Sequence, residues 1–187
     1  MTTTSGQRLS EQRLSEQWLP ELMAELEHLD AARPDEMQGC SAEELDQIRA
    51  ECPFEPVPAD YLAFMARLGR SASNLFRGSD LHFPACLGTR EYAQECRETE
   101  DPQVPVGQNF FFGHHQGYVL YYFQPGDERV WTYILEEGPK SASTAGFRSF
   151  VAEHLDVAED TWPRVREMDR KNQELKAARK QDRGTDQ

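Results

Sequence analysis

Two adjacent histidines, His114 and His115, are the side chains in this sequence that most invite a chemical role. Imidazole ligates metals and moves protons near neutral pH. The run GHHQG around them reads as a turn joining two strands. Neighbours in extended chain point to opposite faces, so the two rings are not expected to share one ion. His82 and Cys86 would have to complete a metal site, and their spacing does not demand one. Four cysteines (Cys40, Cys52, Cys86, Cys96) and five histidines allow many Cys/His pairs, and that abundance singles out none as a nucleophile and base. Among 33 acids no carboxylate pair stands out. No phosphate loop, dinucleotide turn, nucleophile elbow or HExxH motif occurs. The expectation is a protein with no catalytic residues, no metal and no cofactor.

Charge is the second constraint. The net charge is −13, but it is unevenly placed. Eight basic and four acidic residues lie between Pro163 and Arg183, so the other 166 residues carry 12 basic and 29 acidic groups, a net −17. Such a body repels nucleic acid. Its field attracts basic proteins, and the same acidity serves solubility. The N-terminus is polar and has no apolar export core. Free thiols in a reducing, cytoplasmic setting are therefore expected. No apolar run approaches the ~20 residues of a membrane span.

These residues need a scaffold. The N-terminus repeats QRLSE, QRLSE, QWLPE over residues 7–21. A period of five spirals Leu9, Leu14 and Leu19 around a helix, so the repeat reads as a duplication, with a packed helix starting near Glu16 or Trp18. Trp18, Leu19, Leu22, Met23, Leu26 and Leu29 form its apolar stripe. Ser41 and Glu44 have the spacing of a capping box opening a helix to about Cys52. Pro58 leads a further helix through Tyr61, Phe64, Met65 and Leu68, stopped at Gly69. Residues 70–88 read as irregular, with a short strand over 81–83. Thr89 is expected to cap a helix of about two turns bearing Tyr92 and Cys96.

Three strands follow, at about 108–113, 118–124 and 129–135, and Pro125–Gly126 suits a type II turn between the last two. A helix over 144–155 turns Phe147, Phe150, Val151 and Leu155 inward. Beyond Asp156 apolar residues are scarce, and residues 164–183 read as a charged, solvated helix. Aromatic residues occupy both parities of the strands, so both sheet faces are apolar. Either helices cover both faces or one face, with Trp131 and Tyr133, meets a partner.

Four segments, in order, resemble the SUKH superfamily, which includes cell-wall assembly regulators of yeast type and bacterial immunity proteins. VPADYLAFMARLG (57–69) resembles its proline-led helix bearing Tyr and Phe, and the capped helix 41–52 stands where that family has the preceding one. NFFFGHHQGYVLYYF (109–123) is similar to its glycine-bearing hairpin, RVWTY (129–133) to its Trp strand, and FRSFVAEHL (147–155) to its closing helix. The chain departs from the pattern at Gly69-Arg70-Ser71, where the family has Asn-Gly-Gly, at Gly117-Tyr118, where it has Gly-Asp, and at Tyr133, where it has His.

The resemblance implies an α+β fold: a curved, mostly antiparallel sheet flanked by helices over residues 41–155. A helical extension (1–40) would precede it and a charged tail (156–187), partly helical or disordered, would follow. It also implies a non-catalytic protein-binding domain, most often an antitoxin that blocks a cognate toxin such as a nuclease. The alternative is a regulatory or scaffold module with no toxin partner. Candidate partner contacts are the acids Asp127, Glu128, Glu136 and Glu137, which would steer a basic toxin domain, and the aromatic anchors Trp131 and Tyr133. Nucleic acid and membrane are not expected partners.

Overall fold

A computed structural model describes residues 5–139 and 144–184. The fold is α+β, with helices flanking antiparallel sheets. Helix α1 spans Ser5–His28 and so includes the repeat, although the side chains of Leu9 and Leu14 lie outside the described residues. The stripe that follows is buried as its spacing requires: Leu19, Leu22 and Leu26 enter the main core, and Trp18, Met23 and Leu29 pack against it. Residues 18–40 thus share a core with the domain after them.

Helix α2 (Ala42–Glu51) opens on the expected capping box. The Ser41 amide donates to Glu44 Oε2 at 2.9 Å, and the Glu44 amide donates to Ser41 Oγ at 3.4 Å. The same Glu44 carboxylate pairs with Arg70, which lowers its pKa and ties the helix start to the chain after helix α3 (Ala59–Leu68). Tyr61, Phe64, Met65 and Leu68 form the buried face of α3. Short strands β1 (Met37–Gln38) and β2 (Ser71–Ala72) pair with each other.

The main sheet is a five-stranded antiparallel meander: β3 (Ser79–Asp80), β4 (Phe110–His115), β5 (Val119–Gln124), β6 (Asp127–Ile134) and β7 (Gly138–Pro139). The β5–β6 hairpin turns on Pro125 and Gly126, and Gly126 has the φ of +74° that a type II turn needs at this place. A register shift between Phe111 and Gly113 kinks β4. A Cβ at Gly113 would lie 2.5 Å from Leu81 Cγ, so only glycine lets the chain at the end of β3 pass this close.

Alternation divides the aromatic residues between two cores. Phe110, Phe112, Tyr121, Phe123 and Val130 face α3 and the start of helix α5 (Phe147–Gly184). Phe111, Leu120, Tyr122, Tyr133 and Leu135 face the other way, under helix α4 (Thr89–Thr99) and residues Val104 and Val106. The Trp131/Tyr133 face is therefore covered, by one helix and a loop.

Several expectations are corrected. The strand placed at 81–83 lies two residues earlier, because Leu81 is buried beneath Gly113 instead of pairing. Thr89 does not cap α4: Gly88 holds that position, and the buried Thr89 hydroxyl donates to the Cys86 carbonyl at 3.1 Å. α4 runs three turns, not two. The closing helix does not stop at Leu155. It continues as one helix to Gly184, and Trp162, only 3 % exposed, joins the main core. Arg166, one turn further on, pairs with Asp30 just beyond α1. Arg148, at the start of α5, hydrogen-bonds both oxygens of Asp60 in α3 and stands 5.4 Å over the Trp18 ring of α1.

Candidate functional site

The two histidines do not sit in a turn. They are the last residues of β4, cross-paired with β3 on one side and β5 on the other. As strand neighbours they face apart. The His114 ring lies 4.6 Å from Tyr92 of α4, with Nε2 3.3 Å from Asp80 Oδ2. Burial pushes its pKa down, and Asp80 opposes that shift. His115 Nδ1 lies 2.7 Å from Ser79 Oγ on the opposite face, beside Tyr118. Among the described residues no group of three or more His, Cys, Asp or Glu is placed to hold a metal. Cys86 and Cys96 are buried, and burial pushes the Cys86 thiol up to about 12 and the Cys40 thiol to about 11, far from thiolate reactivity at neutral pH.

The six candidate partner contacts separate into three kinds. Tyr133 is internal: it is 1 % exposed, and its hydroxyl donates to Asp101 Oδ2 at 2.7 Å. Asp101 also accepts from the amides of Gln103 and Glu136, at 3.0 and 3.2 Å. These bonds, the one from Tyr133 foremost, lower the Asp101 pKa. Burial, then the Asp101 carboxylate, raises that of Tyr133. Tyr133 therefore presents no surface to a partner and fastens α4's C-terminal loop to the sheet.

Asp127 is half-buried and already paired. Its carboxylate accepts from Arg129 Nε and Nη2 at 2.9 and 2.7 Å and from Trp131 Nε1 at 3.1 Å. The Arg129 guanidinium holds its pKa down to about 2. Arg129 also stands 5.2 Å over the Trp131 ring, which is half-buried and stacks on Tyr122. Residues two apart on a strand share a face, so Asp127, Arg129 and Trp131 form a ladder that organises the strand start. Its charge is neutralised locally and contributes little to a long-range field.

Glu128, Glu136 and Glu137 are exposed. They do not form one patch. β6 is eight residues long, roughly 26 Å of strand, and it separates Glu128 from the other two. Glu128 borders a recess with Asp60 and Arg148. Glu136 and Glu137 border a shallow recess with Glu100, Asp101 and Tyr133. Glu136 has a φ of +69°, held by the hydrogen bond its backbone N–H donates to Asp101 Oδ2. Glu95 and Glu98 of α4 are exposed nearer that end in sequence. Glu100 is the acid missed by sequence reasoning. The run Glu98-Thr99-Glu100-Asp101 was its signal, and only the fold shows that it meets the β6–β7 turn.

No protein-family model, curated protein or solved structure matches the chain. No helix among the described residues is long and apolar enough to cross a membrane.

Proposed function

We propose that this chain is a non-catalytic, cytoplasmic protein-binding domain of SUKH type, acting as an immunity protein that binds a basic toxin domain and blocks it. The order of elements carries this reading. A capped helix, a proline-led apolar helix, a glycine-bearing hairpin sheet and a closing aromatic helix follow one another as the four motifs require. The acidic end formed by Glu100, Glu136 and Glu137 supports it further, because such a cluster steers a basic partner and raises its association rate. The interface centres on that end, with Glu128 outside it.

Capture of partners by the full chain from its source cell, followed by mass spectrometry, supplies the partner. Stopped-flow mixing then tests the interface. Replacing Glu100, Glu136 and Glu137 together by lysine should slow association at least about tenfold at low salt and flatten its salt dependence. Glu128→Lys should change it far less. An unchanged on-rate in the triple variant rules the interface out. Capture of regulatory proteins that include no toxin would favour the scaffold reading.

A further inference from the structure

A cavity of about 450 Å³ opens where β5, the segment before β3 and the middle of α5 meet. The partner-binding proposal does not use it. Phe76, Tyr121 and Trp162 wall it with aromatic rings, and Val165 closes the helix side. Its size falls at the lower end of small-molecule sites, which are mostly apolar with a few placed polar groups.

The polar groups here have defined roles. His154 Nδ1 lies 2.8 Å from the Phe150 carbonyl oxygen. Only an N–H is satisfied by a carbonyl, so Nδ1 carries the proton. Burial disfavours the imidazolium, which leaves Nε2 as a lone-pair acceptor. Nε2 meets the Tyr121 hydroxyl at 3.5 Å, long for a hydrogen bond. A donor entering the cavity would find that acceptor under-used. The mouth carries Arg77 and Glu153, of opposite sign, so the site makes no demand for net charge.

The backbone adds an independent observation. Phe76 has φ +62° and Ser73 φ +51°. The left-handed region is costly for a bulky side chain, and such strain persists where the surroundings hold a ring in a useful place. Here it sets the Phe76 ring 5.5 Å from Phe150, stacked, and 5.0 Å from His154.

We propose that this cavity binds a small, uncharged, planar aromatic molecule carrying one N–H or O–H donor, with its ring on the Phe76–Tyr121–Trp162 walls and its donor on His154 Nε2. The cavity shares no lining residue with the acidic recess, so either assignment can fail without the other.

Titration of the isotopically labelled full chain with indole, 4-methylphenol and toluene, followed by NMR, tests this. Indole and 4-methylphenol should give saturable shifts at Phe76, Tyr121 and the Trp162 indole N–H. They should bind about tenfold tighter than toluene, which has the ring without the donor. Val165→Trp, which fills the cavity from its half-buried helix side, should abolish saturation and leave the remaining spectrum in place. His154→Phe should bring the three probes to similar affinity. Absence of saturable shifts up to the solubility limit overturns the proposal. So do shifts that map elsewhere, toluene binding as tightly as indole, or binding that survives Val165→Trp.

Discussion

The two faces of the main sheet carry similar side chains under different cover. On one face Phe110, Phe112, Tyr121 and Phe123 meet α3, α5 and, beyond them, α1. Phe112 alone lies within 6 Å of the Tyr61, Phe123, Phe147 and Phe150 ring centroids, at 5.3, 4.7, 5.8 and 5.7 Å. On the other face Phe111, Leu120, Tyr122 and Tyr133 meet α4 and one loop. That thinner cover is fastened at its margins by polar bonds. Tyr92 donates to the Gly117 carbonyl at 2.5 Å, Tyr133 to Asp101 at 2.7 Å, and Arg90 to the Asn109 and Gly107 carbonyls at 2.9 Å each. Apolar area holds the first face, whereas the second adds directional bonds that fix where its single helix lies.

The largest expected effect tests that division. Phe112→Ala should cost about 3–5 kcal/mol, because its ring is 0 % exposed and is enclosed by other rings that cannot all close the gap. Leu120→Ala, equally buried on the second face, should fall near the low end of the ~2–5 kcal/mol range for such truncations. One helix settles more easily into a void than three. Urea unfolding measures both. Hydrogen exchange should also show α4 amides opening at lower free energy than those of α3. A Leu120→Ala cost matching that of Phe112→Ala would erase the distinction.

Acid should separate the faces next. His82 and His154 stand on the first face, each in ring contact with Phe76, and His114 stands on the second against Tyr92. Burial lowers the pKa of all three below the ordinary 6.5. Between the lowered value and 6.5 the unfolded chain binds the proton and the folded chain does not. Stability therefore rises with pH in that window and falls on acidification, by at most about 1.4 kcal/mol per pH unit for each histidine. At His114 the nearby Asp80 charge offsets the effect, whereas at His82 and His154 only hydrogen bonds to backbone groups oppose it. Urea unfolding at about pH 7.5 and about pH 5.5 should show a loss that His82→Phe reduces more than His114→Phe. The reverse order would assign the acid sensitivity to the second face.

Both faces were legible as apolar in the strand alternation, and α2, α3 and the Pro125–Gly126 turn were legible in their capping and turn residues. What failed has physical causes. GHHQG contains two glycines and reads as a turn, but Gly113 is glycine because Leu81 crosses it, a non-local contact that no window reveals. The closing helix outruns its apolar stripe because Trp162 packs into the core from a segment otherwise built of helix-forming polar residues. Among the candidate contacts, Tyr133 and Asp127 were well placed in sequence but are used internally, by Asp101 and Arg129. The Asp127–Arg129–Trp131 ladder was readable from the period of two. The junction of Glu100 with Glu136 and Glu137 required the fold.

The smallest effect bears most directly on the second face. Tyr133→Phe keeps the ring and removes one hydrogen bond. Asp101 would still accept from the Gln103 and Glu136 amides, and it lies at the margin of the recess, where water can replace a lost hydroxyl. The melting temperature should therefore drop by only a few degrees, well short of the effect of Leu120→Ala. Exchange at Gln103 and Glu136 should speed up locally while α3 stays protected. If Tyr133→Phe instead costs as much as Leu120→Ala, the bond to Asp101 and not the apolar area holds α4 and its loop in place. The acidic recess would then lose its shape with the hydroxyl, because the left-handed turn at Glu136 depends on the same carboxylate.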